Sequence, residues 1–278
     1  MDKIIKAAQE CRIISNERVN GAIYKLTFEF GKQPAATVAP GQFVMLKCGG
    51  GAYLRRPFSI CDIPDEAGAA TIMYRLTGAG TQAVSLLRAG GTLDIIGPLG
   101  KGFDVLPDKA AVVGGGIGLF PLILLARRLC EGDGAPDIFV GFRNNGSVVL
   151  EHELACFSKS LTIVSDDGSV GVKGFVTEAF EKALVRGEKY SVVYACGPVP
   201  MLVVLKGICE KFGVYAQFSV EERMGCGIGA CLVCACAVKL SGGAGGGSDT
   251  DAGSETYTYV RACRDGPVFS AEDLMIGR

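Results

Sequence analysis

The residues best suited to chemistry in this chain are four cysteines towards its C-terminal end. Cys226, Cys231 and Cys234 lie in the run Met-Gly-Cys-Gly-Ile-Gly-Ala-Cys-Leu-Val-Cys, and Cys263 follows further along. This C-x4-C-x2-C…C spacing is one with which thiolates hold a [2Fe–2S] cluster. The interleaved glycines fit, since glycine permits positive φ angles and close approach of backbone N–H groups to the cluster sulfurs. The pattern predicts a protein that passes single electrons.

Two alternatives to this ligand set stay open. One is a zinc ion with four cysteine ligands, although structural zinc sites usually show two paired C-x2-4-C knuckles and here the fourth cysteine stands alone. The other concerns the third ligand, because Cys236 would share a strand face with Cys234. We take Cys234 as the ligand, since it keeps the x2 spacing, and Cys236 as a neighbouring free thiol.

The remaining cysteines outside the nucleotide motif, and the single histidine, lack ligand spacing. His152 lies in the polar run Glu-His-Glu and is expected to be a solvated helix residue. One histidine is too few for a Rieske centre or for a zinc site with two histidines. The scattered cysteines are expected to be free thiols in apolar segments: Cys11, Cys48, Cys61, Cys130, Cys156 and Cys209.

The composition favours a cytoplasmic protein of two or three domains. The chain has 278 residues, is 49% hydrophobic and carries a net charge of −1. Its length allows ample core, and its near-neutral charge does not indicate a nucleic-acid partner. No apolar run reaches the roughly 18–20 residues of a membrane span. The N-terminus lacks the apolar core of a signal peptide, so we expect neither nucleic-acid nor membrane binding.

Three segments are expected to position the chemistry. Residues 1–106 show short strands between Gly- and Pro-rich turns, which predicts an antiparallel β-barrel with one short helix over Ala83–Arg88. Residues 107–217 alternate strands and helices, which predicts a doubly wound parallel sheet. Residues 218–278 hold the cysteines and a predicted hairpin, interrupted by the Gly- and Ser-rich segment 241–254, which is expected to be flexible.

The strands of these segments are predicted from apolar and β-branched runs. They are Ala22–Phe30, Phe43–Lys47, Ala70–Leu76 and Thr92–Ile96 in the barrel, Ala110–Val113, Asp137–Phe142, Leu161–Val164 and Ser191–Ala195 in the parallel sheet, and Cys234–Leu240 with Glu255–Val260 in the hairpin.

In the barrel segment, an Arg-Pro-x-Ser run could bind a phosphate. Arg56 offers a fixed charge and Ser59 a hydroxyl, and Pro57 between them is rigid. By itself this pattern is weak, and a surface ion pair of the arginine is the ordinary explanation. The neighbouring motifs are Pro40-Gly-Gln-Phe43, Met73-Tyr-Arg75 and Gly80-Thr81.

In the second segment, a glycine-rich run follows a strand and opens a helix. Backbone amides at such a helix start bind a pyrophosphate well. The spacing is not G-x-G-x-x-G, so a tight turn without a ligand stays an alternative. No acidic residue marks a ribose 2′-hydroxyl, which leaves NAD and NADP both open, and Arg143 could contact the adenosine side. The candidate residues are Gly114, Gly115, Gly116, Ile117, Gly118 and, in a later turn, Cys196, Gly197 and Pro198.

Taken together, the barrel motifs resemble the flavin-binding barrel of the ferredoxin reductase superfamily. The resemblance implies FAD, with Arg56 and Ser59 at the pyrophosphate or flavin and the backbone amides of Gly80-Thr81 at a phosphate. It also implies that the Cys196-Gly-Pro198 turn lies beside the nicotinamide of NAD. The implied flavin-binding residues are Arg56, Pro57, Phe58, Ser59, Met73, Tyr74, Arg75, Gly80 and Thr81.

A flavin barrel, a nucleotide domain and a C-terminal [2Fe–2S] loop, in that order, cover nearly the whole chain. With the cluster motifs Glu221-Glu-Arg-Met-Gly-Cys226 and Arg261-Ala-Cys-Arg-Asp-Gly-Pro267, the chain resembles the electron transfer subunits of type B dihydroorotate dehydrogenases. The segment 241–254 is longer than expected for that family.

This resemblance implies a division of labour between two subunits. An FMN-containing catalytic subunit would oxidise dihydroorotate to orotate, and electrons would pass singly through the cluster to FAD, which delivers a hydride to NAD+. A heterotetramer of two chains of each kind is implied. Because cofactors carry the chemistry, we assign no catalytic residue and expect the chain alone not to oxidise dihydroorotate.

Two other functions stay possible from the sequence. One is a related flavin and iron–sulfur subunit of an NADH-dependent ferredoxin or sulfide oxidoreductase, in some of which an Asp replaces the first cluster cysteine. Cys226 at that position favours the dihydroorotate pathway. The other is a redox-sensing interaction module, whose sites bind cofactors without turnover.

Overall fold

The structure is a computed structural model that describes residues 8–64, 68–106, 109–132, 134–240 and 257–277. Within these residues the chain forms a closed six-stranded barrel, a seven-stranded sheet flanked by helices and a two-stranded sheet. This arrangement confirms the predicted fold class. The predicted flexible loop 241–254 lies outside the described residues. None of the described helices combines the length and the apolar character that crossing a membrane requires.

The barrel is antiparallel and closes in the order β1-β2-β5-β4-β3-β6. Its side chains alternate between two cores, as the pleat of a strand requires. Val44 and Leu46 pack in the barrel core, whereas Phe43 and Met45 of the same strand pack outside it. Its elements are β1 (Gln9–Asn20), β2 (Ile23–Glu29), α1 (Lys32–Ala36), β3 (Phe43–Leu46), β4 (Arg56–Asp62), β5 (Ala69–Arg75), α2 (Ala79–Ser85) and β6 (Thr92–Leu99).

Two elements of the barrel differ from the sequence prediction. β1 is not predicted at all; its burial alternates only over residues 9–14, where Cys11 and Ile13 are buried, and the rest of the strand is half-buried or exposed. The helix expected over Ala83–Arg88 is wrong in its limits, because α2 begins after Gly78. There the Thr81 hydroxyl accepts hydrogen bonds from two backbone N–H groups at 2.9 and 3.2 Å, which caps the helix earlier.

The second unit is a sheet in the order β10-β9-β8-β7-β11-β12-β15, parallel throughout except for β15. The strand order reverses between β7 and β11, and ligands of such sheets bind at the carboxyl ends of the strands at that point. Its elements are β7 (Ala110–Gly115), α3 (Phe120–Glu131), β8 (Asp137–Phe142), α4 (Glu151–Cys156), β9 (Ser160–Ser165), β10 (Val172–Lys173), α5 (Val176–Val185), β11 (Val192–Cys196), α6 (Val199–Phe212) and β12 (Tyr215–Ser219).

The C-terminal part is joined to both other units. β13 (Ala235–Lys239) and β14 (Tyr257–Arg261) pair as the predicted hairpin, and β15 (Val268–Ser270) joins the large sheet beside β12. The backbone N–H of Lys101, just after the barrel, donates to the carbonyl of Gly266. The cysteine loop therefore lies between two anchored strands, β12 and β13.

Polar contacts fix the barrel against the large sheet. The guanidinium of Arg127 on α3 contacts the carboxylate of Asp62 on β4 at 2.9 Å. The side-chain amide of Asn20, at the end of β1, donates to the carbonyls of Gly146 and Val148, both at 3.0 Å. These bonds join the barrel to α3 and to the segment between β8 and α4.

Candidate functional site

A cavity of about 580 Å³ lies where the barrel, the large sheet and the C-terminal part meet. Ligand pockets typically measure about 300–1,000 Å³, so this volume suits a small organic ligand. All nine residues implied for the flavin line it, together with Ile117 and Cys196 from the nucleotide set. The sequence thus brings two separate motif groups to one wall.

The aromatic wall of the cavity is held rigidly by hydrogen bonds behind it. The ring of Tyr74 stacks on Tyr24 with centroids 5.5 Å apart and meets Phe58 edge-on at 5.8 Å. Its hydroxyl donates to the side chain of Asn16 at 3.0 Å, and the Asn16 amide donates in turn to two carbonyls of the α2 region. Burial raises the pKa of Tyr74 to about 12, against the effect of that hydrogen bond, so the phenol stays neutral.

Two neighbouring arginines have different roles. Arg55 pairs with Asp94 at 2.7 Å and donates to its backbone carbonyl at 2.8 Å, which ties β6 to the loop before β4. Arg56 lines the cavity with its exposed side chain, and its guanidinium donates to the carbonyl of Leu54 at 2.9 Å. Of these two neighbours, Arg56 is therefore the one that lines the cavity.

The predicted nucleotide residues meet between β7 and β11, where the strand order of the sheet reverses. β7 ends at Gly115 and β11 at Cys196, and these strands are neighbours. A Cβ on Gly118 would collide with the carbonyl oxygen of Cys196 at 2.6 Å, so this glycine lets the two turns pack together. Gly116 is different, since its φ is +55° and nothing lies within 4 Å of its Cβ position. Its backbone is open to a ligand.

The remaining residues of the nucleotide set lie in the same packed region. A Cβ on Gly115 would meet Pro198 at 3.0 Å, and one on Gly197 would meet the backbone nitrogen of Gly115 at 3.2 Å. Gly114 pairs with Cys196 across β7 and β11. The end of β7 packs closely against the turn after β11, and this close packing explains why glycine occupies these positions.

Three polar side chains that line the cavity, those of Ser219, Glu221 and Glu222, were not predicted from the sequence as site residues. Burial raises the pKa of Glu221, against the charge of Arg75, and burial also raises the pKa of Glu222. Burial raises the pKa of the Cys196 thiol to about 12, Glu221 raises it further, and a hydrogen bond with Ser219 opposes the shift. The position of Ser219, Glu221 and Glu222, at the end of β12 and before the cysteine run, was the signal that could have found them.

The first half of the cysteine loop surrounds one sulfur with backbone N–H groups. The N–H groups of Ala230 and Cys231 donate to the Sγ of Cys226 at 3.2 and 3.4 Å. Although burial opposes the shift, these and other loop N–H groups lower the pKa of Cys226 to about 6. Gly227 and Gly229 have φ of +72° and +85°, which gives the loop this curvature.

The second half of the loop is buried. Cys234 and Cys263 are 1% and 0% exposed, and the N–H of Cys263 donates to the Sγ of Cys234 at 3.4 Å. Burial, followed by the contact with Cys234, raises the pKa of Cys263 to about 12. Cys236 instead turns its thiol towards the carbonyl of Val260 at 3.8 Å. The neighbour of Cys263 is therefore Cys234.

The four cysteines form two pairs, Cys226 with Cys231 and Cys234 with Cys263. Within the described parts of the chain, no three His, Cys, Asp or Glu side chains converge in the geometry of a single metal ion. A [2Fe–2S] cluster has four cysteine ligands on two irons, and two pairs of thiols within one loop region offer such a set.

The chain is similar over nearly its whole length to proteins named dihydroorotate dehydrogenase B (NAD(+)), electron transfer subunit. The protein of Caldanaerobacter subterraneus subsp. tengcongensis is 39% identical over 270 residues, which cover 96% of this chain and 98% of that one. The protein of Fusobacterium nucleatum is 36% identical over 275 residues, again 96% and 98% of the two chains. No family model matched the chain.

Solved structures share its architecture. A chain of an NADH-dependent reduced ferredoxin-NADP oxidoreductase, described in connection with flavin-based electron bifurcation, superposes with a TM-score of 0.80 at 26% identity, covering 95% of this chain and 89% of that one. The cytochrome b5 reductase domain of Ulva prolifera nitrate reductase gives a TM-score of 0.62 at 17% identity over 75% of this chain and 94% of that one, a likeness of fold alone.

Proposed function

The chain belongs to the family of dihydroorotate dehydrogenase B (NAD+) electron transfer subunits, and on this premise we propose that it carries electrons from a dihydroorotate-oxidising partner to NAD+ through a [2Fe–2S] cluster and FAD. It is an oxidoreductase subunit of pyrimidine biosynthesis. The cluster supplies one-electron transfer, and the flavin converts between one-electron and two-electron carriers. The observation that carries the proposal is the cavity, whose walls come from the flavin motifs, the nucleotide turns and the start of the cysteine loop.

The cavity residues fit FAD in their chemistry. Arg56 supplies a positive charge for the pyrophosphate, and Ser59 supplies a hydroxyl beside it. The rings of Tyr74 and Phe58 form a rigid apolar wall, which suits a flat aromatic ring system. Gly80 and Thr81, in the first turn of α2, also line the cavity.

The switch-point turns fit a dinucleotide. Gly116 leaves its backbone open at the carboxyl end of β7, where a pyrophosphate binds in sheets of this kind. Cys196 and Ile117 line the cavity from the same side, so the reactive end of the nucleotide would face the flavin. NAD as the nucleotide follows from the family rather than from a residue of the site.

The cysteine loop fits a cluster of two irons. Cys226 and Cys231 would hold one iron, and Cys234 and Cys263 the other. Backbone N–H groups already directed at the Cys226 sulfur would stabilise a thiolate there. We propose the division of the chain into 1–106 for FAD, 107–217 for NAD and 218–278 for the cluster.

The face around the first cysteine pair fits a protein partner. Ile228, Leu232 and Val233 are 47%, 64% and 56% exposed beside the exposed Cys231. Leu232 has a φ of +60°, a conformation that costs a non-glycine residue about 1–3 kcal/mol. We propose that the FMN-containing catalytic subunit docks on this apolar rim. A complex of two chains of each kind, and a cytoplasmic location, belong to the same proposal.

Anaerobic titration of the purified chain with NADH tests the proposal. The expected protein contains FAD and two irons per chain, and NADH bleaches the absorption of both cofactors. A redox-sensing module would bind the cofactors without sustained dye reduction by NADH. Protein that binds FAD and iron but is not reduced by NADH would contradict the proposed electron path.

A second function has one observation in its favour, the TM-score of 0.80 with a subunit of an NADH-dependent ferredoxin-NADP oxidoreductase. Co-purification decides between the two functions. An FMN-containing subunit that turns dihydroorotate into orotate supports the first, and a ferredoxin-reducing partner supports the second.

A further inference from the structure

One face of the β3–β4 ribbon connects the cavity with the cysteine loop. Phe43 faces Ser59 across the two strands, and Met45 faces Pro57, so the four side chains share a face. Phe43, Pro57 and Ser59 line the cavity. Met45 is fully buried and is the next side chain after Phe43 on this face.

Gly227 of the cysteine loop lies directly on Met45. A Cβ at Gly227 would overlap Cγ of Met45 and lie 3.0 Å from its Sδ and 3.4 Å from Cδ1 of Leu99. Gly227 is itself buried and follows Cys226 immediately. The missing side chain is therefore what lets the loop rest on the barrel.

The same core also holds the second cysteine pair. Phe43, Met45 and Leu99 belong to one buried cluster with Cys234 and Cys263. Met45 thus lies in a continuous packed region that reaches from the cavity wall to both ends of the cysteine loop.

We propose that Met45, with Gly227 seated on it, is a positioning residue that sets the distance between the cysteine loop and the flavin cavity. The inference rests on the proposed function. Electron transfer slows steeply when donor and acceptor separate, so a change in the distance between the cysteine loop and the flavin cavity would change its rate. A cysteine loop displaced from Met45 would keep its four cysteine ligands but would lose the contact between Gly227 and Met45.

The test is Gly227→Ala in the FAD- and iron-loaded chain, mixed anaerobically with one NADH per chain in a stopped-flow spectrometer. NADH gives a hydride to FAD and leaves as NAD+; of the two electrons, the cluster takes one and FAD keeps the other. We expect normal iron content and normal FAD reduction, while cluster reduction slows severalfold. The cluster potential is expected to stay unchanged, which separates positioning from tuning.

Two further variants make the result specific. Gly213→Ala places an alanine at a similar φ of +65° with nothing within 4 Å, and both steps should stay native. In Gly227→Ala with Met45→Ala, the overlapping Cγ and Sδ are gone, so cluster reduction should recover towards the rate of Met45→Ala alone.

The outcomes are distinct. A native rate of cluster reduction in fully loaded Gly227→Ala would overturn the inference. If that variant binds no iron, Met45→Ala and Met45→Leu decide: the inference predicts a slower step in the first and a near-native one in the second, and equal native rates would refute it. Failure of the unmodified chain to be reduced by NADH would instead refute the proposed function.

Discussion

The two cysteine pairs of this chain differ sharply in their surroundings. Cys226 is half-buried and Cys231 exposed, among loop N–H groups and the exposed side chains of Ile228 and Leu232. Cys234 and Cys263 are buried in a core that they share with barrel residues lining the cavity or lying next to it. In the proposed function, the outer pair would face the partner and the inner pair would lie towards the flavin cavity.

The largest expected effect comes from replacing one cysteine of each pair. Cys226→Ser and Cys263→Ser should each abolish the cluster and leave FAD bound, because the flavin cavity does not use these thiols. Unchanged iron content in either variant would contradict its ligand role.

In iron-free protein, the two cysteine pairs should differ in how much a serine substitution lowers the free energy of unfolding. In iron-free protein, Cys263→Ser buries a hydroxyl in an apolar core and should lower the free energy of unfolding by about 1–3 kcal/mol. Cys226→Ser should change it by less than about 0.5 kcal/mol, since its site is partly exposed. Denaturant unfolding measures both, and equal values would remove the contrast between inner and outer pair.

The next largest effect tests whether FAD binding at the cavity is independent of iron binding at the two cysteine pairs. Arg56→Ala should weaken FAD binding about tenfold to hundredfold, because a charge-assisted contact to the pyrophosphate is lost. Arg55→Ala is the matched control, since Arg55 is paired with Asp94 instead. Fluorescence titration with FAD measures affinity. Iron content should stay native in both variants, and a parallel loss of iron would mean that the inner pair depends on bound flavin.

Part of the contrast between the outer and the inner cysteine pair can be predicted from the sequence, and part of it cannot. The ligand spacing around Cys226 and the Arg56 motif mark local chemistry, which short runs of residues carry by themselves. Cys263 lies between β14 and β15, and β15 pairs with the distant strand β12, a pairing that no local pattern shows. Glu221 was missed because its role arises from a cavity wall built by three distant segments.

The barrel shows the same division. Apolar runs predict β3 and β5, whose side chains are mostly buried. β1 escaped prediction because a largely exposed strand has little hydrophobic alternation, and its position is fixed by pairing with β2 and β6. The start of α2 depends on capping by Thr81, which overrides the apolar run that follows.

A moderate effect is expected at the outer rim. Leu232→Asp should weaken association with the catalytic subunit about tenfold, since a charge would be buried among apolar groups. Val199→Asp on α6, a residue with 50% exposure, is the control and should bind normally. Surface plasmon resonance checks both. Native affinity of Leu232→Asp would place the partner elsewhere.

The smallest effect concerns Glu221 at the cavity. Burial raises its pKa above the usual 4.5, so wild-type stability falls relative to Glu221→Gln as pH rises through that range. The flavin-free variant should be more stable at pH 8 by a fraction of a kcal/mol, because solvent screens the site, and equally stable below pH 4.5. Thermal unfolding across pH measures this. A difference that persists at low pH would point to a cause other than charge.

The most direct test of the account is NAD+ reduction by dihydroorotate in the complex of this chain with the proposed FMN-containing catalytic subunit. We expect NADH to form with both subunits together, not with this chain alone, and not when FAD-loaded Cys226→Ser replaces the native chain. NADH formed by this chain without the partner, or at the native rate by the Cys226→Ser complex, would contradict an electron path that enters at the outer cysteine pair.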